Sequence, residues 1–392
     1  MRKSIILLCL LLSAARLSAQ NSVQRVLDAI EKNNASLQSA RSNADALTLE
    51  ARTGNSLENP EVEYVRNWSR GPEQTVEGEL GVTQSFDFPT AYAARNKAAR
   101  LKAEVYGHEL NARRQELLLE GKTLCIRIVA LRRQVALLES RVENARRVAA
   151  AYASRLEAGE ANVIEKNRSD VELASVQSEL NDSRMELASA LVQLDAMTGG
   201  EPFADTDFPD AEPVMPLESM IAEYEERAPA LLALYSGTRG AQAELKESRA
   251  GSLPSFTVGY HYEHAGKAER FNGVVMGMSL PLWGNRYNVK RAKAHAAYTE
   301  NLLREARVDN RAALSELYAK YEVLSRTLSD YRAMSINCNE AMGLINKALD
   351  AGALNLVEYL TEVEALYSVE EQRIAVERDF HLTVAGINAI LL

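Results

Sequence analysis

Residues 253–294 read LPSFTVGYHYEHAGKAERFNGVVMGMSLPLWGNRYNVKRAKA. A proline opens the stretch, two runs of alternating apolar and polar residues flank a Gly/Lys/Glu turn, and a second proline precedes a charged, Ala-rich segment. This pattern predicts a strand hairpin that feeds a long helix. Phe256, Val258, Tyr260 and Tyr262 share one side of the first strand, opposite Thr257, Gly259, His261 and Glu263. Val274, Met276, Met278 and Leu280 continue the apolar side on the returning strand. The arrangement occurs a second time, 194 residues earlier: Pro60 matches Pro254, Phe86-Asp87-Phe88 matches Leu280-Pro281-Leu282, and Ala98 matches Ala292. A constant offset over such a length marks an internal duplication.

In the first copy, Val62, Tyr64 and Trp68 face away from Glu61, Glu63 and Asn67. After Ser69-Arg70-Gly71-Pro72, Val76, Leu80 and Val82 oppose Glu77, Glu79 and Thr83. A helix is predicted ahead of this hairpin, over Val23–Ser56, with an apolar side of Val23, Leu27, Ile30, Leu37, Ala44 and Leu47. Its duplicate is Leu217, Ile221, Tyr224, Leu231, Thr238 and Ala241. Asn59-Pro60 ends it, because the residue before proline is pushed out of the α region.

Behind each hairpin the period changes. Leu124, Ile128, Leu131, Val135, Leu138, Val142, Ala145, Ala149, Tyr152 and Leu156 alternate spacings of four and three. Leu314, Leu317, Tyr321, Leu324, Leu328, Tyr331, Ser335, Cys338, Met342, Ile345 and Leu349 do the same in the second half. Such a 3.5-residue repeat predicts left-handed coiled-coil seams. The 67 residues from Thr90 to Leu156 would reach roughly 100 Å as one helix. Each run ends at a glycine, Gly159 or Gly352, suited to a left-handed cap and a reversal. Returning helices carry Leu173, Val176, Leu180, Leu187 and Leu194, then Leu366, Val369, Arg373, Phe380 and Ile387.

The organisation is therefore a signal peptide over 1–19, a first repeat over 20–198, a Gly/Pro/Asp-rich linker over 199–216 and a second repeat over 217–392. Arg2 and Lys3, the apolar run Ile5–Leu12 and Leu17-Ser18-Ala19 carry the signal reading. Cys9 sits inside the apolar run, so no lipid-bearing cysteine is expected. Removing the leader leaves 42 basic and 54 acidic residues, a charge of −12, a poor match to nucleic acid. No later segment offers the ~18 uncharged apolar residues of a membrane helix. Cys125 and Cys338 lie at different depths along their helices and read as packed thiols without a disulfide.

Four strands of about ten residues can cross a tilted bilayer, yet they are too few to close a barrel. One cyclic oligomer meets that demand and supplies neighbours for the seams. Here the chain resembles the TolC family of outer-membrane efflux channels. The resemblance rests on Arg155-Leu156-Glu157-Ala158-Gly159-Glu160, Ala348-Leu349-Asp350-Ala351-Gly352, the strand openings Asn59-Pro60 and Leu253-Pro254, and the strand endings Ser-Phe-Asp-Phe-Pro and Ser-Leu-Pro-Leu-Trp. It covers the whole mature chain. Phe86-Asp87-Phe88-Pro89-Thr90-Ala91-Tyr92 looks most like the heavy-metal, Cus/Czc-like branch. The family's Asn-Pro-x-Leu element is half kept in each copy, as Asn34-Ala35-Ser36-Leu37 and Ala228-Pro229-Ala230-Leu231.

The resemblance implies a mainly α fold with a small β part: two tandem repeats of helix, strand, strand, long helix and helix. It implies a homotrimer with a 12-strand β-barrel in the outer membrane and a 12-helix periplasmic α-barrel. The apolar strand rows would face lipid. The tips around Gly159 and Gly352 would meet a periplasmic adaptor, which joins the channel to an inner-membrane pump of the RND type. Small residues Ala158, Gly159, Ala161, Ala351, Gly352 and Ala353 would let the adaptor approach, flanked by Leu156, Val163, Leu349 and Leu356. Glu160, Glu165, Asp350 and Glu358 would ring the aperture and favour cations.

His261 and His264 fall on opposite faces of a strand and make no metal site together; neither a metal nor a cofactor is expected. No Ser-His-Asp, Cys-His or phosphate-loop constellation occurs, so the chain does not read as an enzyme. The leading expectation is a passive efflux conduit for metal cations or small toxic compounds. The rival is a periplasmic coiled-coil adaptor that stays out of the membrane.

Overall fold

The computed structural model describes residues 22–68, 76–265 and 269–392. The leader read over 1–19 and the turn at 69–72 lie outside the described residues, as does the side chain of Val76. In chain order the first half runs α1 (22–33), α2 (Ala35–Thr53), β1 (Glu61–Trp68), β2 (Val76–Phe86), α3 (Pro89–Glu157) and α4 (Val163–Thr198). The second half repeats it as α5 (Leu217–Arg227), α6 (Pro229–Ala250), β3 (Ser255–Ala265), β4 (Glu269–Ser279), α7 (Arg286–Asp350) and α8 (Leu356–Ile387), closed by a 3-10 turn at Asn388–Leu391.

The first helix of each half is broken in two, where the apolar pattern alone predicts one piece. The two breaks use different chemistry. At Asn34 the side-chain Oδ1 accepts the Leu37 N–H at 3.0 Å, so the side chain caps a new helix. In the second half Ala228 has no side-chain cap, and Pro229 takes the first helical position, where its missing N–H costs nothing. Half of an Asn-Pro pair suffices in each copy.

The chain divides into two compact units that cut across the repeats. One holds Ser39–Ala112 and Glu225–Asn310; the other holds the chain up to Gln38, Arg113–Tyr224 and Arg311–Leu392. The first of these contains the sheet, ordered β1-β2-β3-β4 and antiparallel throughout. Its helices pack through small side chains, with Leu101 buried against Ala98 and Ala243. Arg95 ties the sheet to them: its guanidinium donates to Asp87 at 2.9 Å, to Glu247 at 3.4 Å and to the Gly54 carbonyl at 3.2 Å.

In the other unit the predicted seams are buried or half-buried throughout. Leu138 and Val142 of α3 close on Val176 and Leu180 of α4, each side chain contributing about 2 kcal/mol on removal from water. The linker is loop, as its composition predicts, and it is held at many points. Arg132 donates to the carbonyls of Phe203 and Asp205 at 2.6 Å each. Lys122 pairs with Glu212 at 2.6 Å. Cys125 and Cys338 are buried and free, and burial pushes the Cys125 thiol up to about 12, which leaves it unreactive.

Beneath the linker lies a charged knot. Glu377 of α8 is 5% exposed and accepts from Arg133 at 2.7 Å, Arg332 at 2.5 Å and Arg373 at 3.1 Å. Burial alone would raise its carboxyl, but the bond from Arg332 and the charges of Arg133, Arg332 and Arg373 outweigh it and hold the pKa down. One turn on, His381 stacks on Phe208 at 4.9 Å and meets Phe380 edge-on. Burial lowers its pKa from 6.5 to about 4, with Arg332 and Arg133 adding to the drop against Glu377 and Asp210. The fold thus keeps His381 neutral. Below pH 6.5 the unfolded chain takes up a proton that the native chain refuses, so stability falls from about pH 6.5 to about pH 4 and is full above that window. Thermal melts across this range should show the loss, and His381→Gln should flatten it; an unchanged slope in the variant would refute the assignment.

Candidate functional site

Two regions carry the sequence-predicted site residues: the tips where the long helices reverse, and one face of the sheet. Each is described within its own unit.

The two tips are built alike. Gly159 and Gly352 have φ of +74° and +71°, a backbone that residues with a Cβ enter at a cost of ~1–2 kcal/mol. Around Gly159, the Gly159 N–H donates to Leu156 O at 3.0 Å and the Glu160 N–H to Arg155 O at 2.8 Å. Around Gly352, the Gly352 N–H donates to Leu349 O at 3.1 Å and the Ala353 N–H to Ala348 O at 2.8 Å. These paired bonds satisfy carbonyls that a helix end leaves open. The chain then re-enters helix at once through a capping box. Asn162 Oδ1 accepts the Glu165 N–H, and Glu165 Oε2 accepts the Asn162 N–H. Asn355 and Glu358 repeat this at 3.0 and 3.1 Å.

That local chemistry sorts the predicted tip residues. Ala158, Gly159, Ala351, Gly352 and Ala353 are exposed and Ala161 is half-buried. Of the flanking apolar residues, Val163 is exposed and Leu156 half-buried. Leu349 and Leu356 are not surface contacts: at 3% and 1% exposure they sit in the core beneath the tips with Val148, Tyr152, Tyr359 and Val363. Leu349 follows the heptad step of its seam, whereas Leu356 is buried although Val163, at the same place in the other capping box, is exposed. Ile164, 78% exposed, is an apolar tip residue that the spacing did not single out. Of the four carboxylates expected to ring an aperture, Glu165 and Glu358 hold the caps and Asp350 pairs with Arg147 at 3.1 Å. Tyr359 anchors α8 below them, its hydroxyl 2.8 Å from both Asn144 Nδ2 and Asn346 Oδ1.

On the sheet, register brings the predicted apolar residues onto one face. Val62, Val82, Tyr260 and Val274 form one transverse row; Tyr64, Leu80 and Tyr262 form the next. Val258 pairs with Met276, and Phe256 with Phe86 and Met278. Trp68 pairs with Val76 toward the hairpin ends. Val62, Tyr64, Trp68, Val274 and Met276 are 65–81% exposed, and Leu280 lies one residue beyond β4. Polar groups on this face are satisfied locally: Tyr260 donates to Asn272 Oδ1 at 2.6 Å and Gln84 to the Glu58 carbonyl at 2.7 Å. Glu61, Glu63, Glu79 and Glu263 take the opposite face. His261 pairs with Gly81 and His264 with Gly78, so the two imidazoles point apart, and the described residues contain no cluster able to hold a metal.

No helix among the described residues is long and apolar enough to cross a membrane. The chain thus combines a sheet with an exposed apolar face and long helices that reverse at glycine tips. The family model for outer membrane efflux proteins matches residues 26–200 and again 220–391, and the chain belongs to that family. The two matches begin 194 residues apart, the offset of the sequence repeat. No curated protein matches the chain by sequence. Among solved structures, a membrane protein from Pseudomonas aeruginosa aligns with a TM-score of 0.83 at 17% identity, over 95% of this chain and 93% of the other. VceC, an outer membrane protein of Vibrio cholerae, aligns with 0.78 at 14% identity, over 96% and 97%. CusC, whose structures concern folding and transmembrane channel formation, aligns with 0.76 at 16% identity, over 95% and 92%. The TM-score to CusC is below those to the other two, so the heavy-metal branch rests on the Phe86–Tyr92 phrase alone.

Removing one capping box should cost about 1 kcal/mol. Asn162→Ala and Asn355→Ala are expected to speed amide exchange in the first turn of α4 and α8 respectively, each without effect at the other tip. Equal exchange at both tips in either variant would show that the boxes do not hold these turns.

Proposed function

We propose that this chain is the outer-membrane conduit of a tripartite efflux system, a homotrimer that conducts passively what a partner pump delivers. One observation carries the reading: a four-stranded sheet exposes a continuous apolar face and leaves both outer edges, on β1 and β4, without a partner strand among the described residues. Open edges are not tolerated in lipid, and the smallest outer-membrane barrels have eight strands. Three copies would close twelve. The helices support the same assembly. On α4, Ile164, Val171, Met185 and Val192 are 63–78% exposed at multiples of seven residues, an uncovered seam beside the seam that packs within the chain.

The rival, an adaptor that never enters the membrane, leaves the sheet face unexplained. In this reading the tips, with Ala158, Gly159, Ala161, Val163, Ala351, Gly352 and Ala353, receive the adaptor's helical hairpin, and an RND-type pump lies beyond it. Glu160, Glu165, Asp350 and Glu358 add negative charge at the aperture, and the glutamate face of the sheet lines the lumen; both favour cations. The cargo is metal cations or small toxic compounds, and the chain supplies a path for them, without catalysis.

Two experiments test this. Val258→Arg should cost ~2–4 kcal/mol of membrane stability if Val258 lies near the midplane, read as lost trimer in outer-membrane fractions; a stable, detergent-free monomer in solution would sink the proposal. Ala161→Gln with Ala353→Gln should leave the trimer intact and abolish export in cells. Undiminished export through these variants would move the adaptor elsewhere.

A further inference from the structure

The apolar face of the sheet ends in a row of a different kind. Arg66, Gly78, His264 and Arg270 are register partners across all four strands. They therefore stand on the same face as the tyrosines and methionines. Arg66, His264 and Arg270 are exposed. Among the described residues neither arginine takes part in an ion pair, although the chain is acidic overall. The reason is segregation: Glu61, Glu63, Glu79 and Glu263 occupy the opposite face, and the apolar face carries no carboxylate in any described register row.

The level of this row is informative. His264 lies eight residues along β3 from Phe256, or ~27 Å of strand, which is ~20 Å along the membrane normal at the usual barrel tilt. That distance spans most of an outer-membrane apolar band, placing the row at its polar border, at the hairpin end remote from the helices. Tyr64 and Tyr262 lie just inside it and Trp68 just outside, as aromatic residues do at a lipid–water interface. Arg66 and Arg270 sit on the two edge strands, so joining copies edge to edge brings the Arg270 edge of one to the Arg66 edge of the next. Two guanidiniums and an imidazole N–H beside an apolar wall match an acyl-chain lipid whose headgroup carries phosphate, since guanidinium binds phosphate through paired hydrogen bonds.

We propose that Arg66, His264 and Arg270 seat phosphate-bearing headgroups of lipids in the outer leaflet, an assignment that rests on the membrane-inserted reading above. Trp68 is a built-in reporter, because the chain has only two tryptophans and Trp283→Phe leaves Trp68 alone. The full chain carrying Trp283→Phe would be reconstituted in phosphatidylcholine bilayers containing a small fraction of either brominated phosphatidic acid or brominated phosphatidylcholine. Phosphatidic acid is expected to quench Trp68 at about 10-fold lower mole fraction, and Arg66→Gln with Arg270→Gln to erase that preference. Arg66→Lys with Arg270→Lys should retain part of it. Equal quenching by the two lipids in the parent chain would overturn the proposal while leaving insertion intact. So would a preference that survives the Gln variant, or loss of the preference on adding millimolar inorganic phosphate at constant ionic strength. Quenching by neither lipid would mean that the sheet is not in the bilayer, which overturns the membrane reading and this inference with it.

Discussion

A backbone N–H or carbonyl that finds neither water nor a partner in an apolar medium costs several kcal/mol, and this chain is arranged around that constraint. Among the described residues no helix is long and apolar enough to cross a membrane, and the apolar surface that the chain exposes as a face belongs to its strands. Within the four-stranded sheet the three internal pairings satisfy the backbone, and the side chains divide largely by face. Tyrosine, valine, phenylalanine and methionine take one side, and glutamates take the other. The exceptions are few, Val65, Phe271 and Val275 on the glutamate side and a basic row on the apolar side, and such a bias would be wasted on a sheet surrounded by water. It has a physical purpose if one face meets lipid and the other an aqueous lumen, and the two open edges then require further copies of the chain.

Duplication lets the same problems be solved twice, and the paired solutions show which chemistry matters. Where the long helices reverse, the halves agree to the residue type: a left-handed glycine, then Asn-x-x-Glu three residues later, at an offset of 193. A tight reversal between two coiled-coil helices admits few alternatives, since it needs a positive φ and must satisfy both a C-terminus and an N-terminus within a few residues. At the break in the leading helices the halves differ, with a capping asparagine in one and a proline in the other. Either satisfies or removes the orphan N–H groups of a new helix. The identity of the residue is free where only that accounting must close.

Much of this was legible in the sequence because it follows from period. Alternation gave the strands and their apolar face, the four-three spacing gave the seams, and glycine after a heptad run gave the tips. What periodicity could not convey was depth and company. Leu349 and Leu356 have the same composition around them as Val163 and Ile164, yet the first two are core and the last two surface. Only the path of the returning helix decides between them. The linker's Gly/Pro/Asp content predicted loop, but not that Arg132, Arg133 and Lys122 would bind it, because those arginines and lysine look like any solvated helix face. The basic row was equally invisible: Arg66 and Arg270 are 204 residues apart, and only strand register brings them into line.

Register is also the problem that coiled-coil seams leave open. A seam with apolar residues every three and four positions packs almost as well after a slip of seven, so hydrophobic burial by itself holds the helices together without fixing their alignment. The polar groups buried among them do fix it. Glu377 carries Arg373 of its own helix with it, but it reaches Arg133 of α3 and Arg332 of α7 in one alignment; a slip of seven residues, ~10 Å, would strip a buried carboxylate of both partners at a cost. Tyr359, bonded to Asn144 and Asn346, repeats the device nearer the tips. Such groups add little net stability compared with well-packed leucines, since their desolvation offsets much of their attraction. Their contribution is to make every other alignment worse, which a structure built from long, repetitive helices needs more than it needs additional burial.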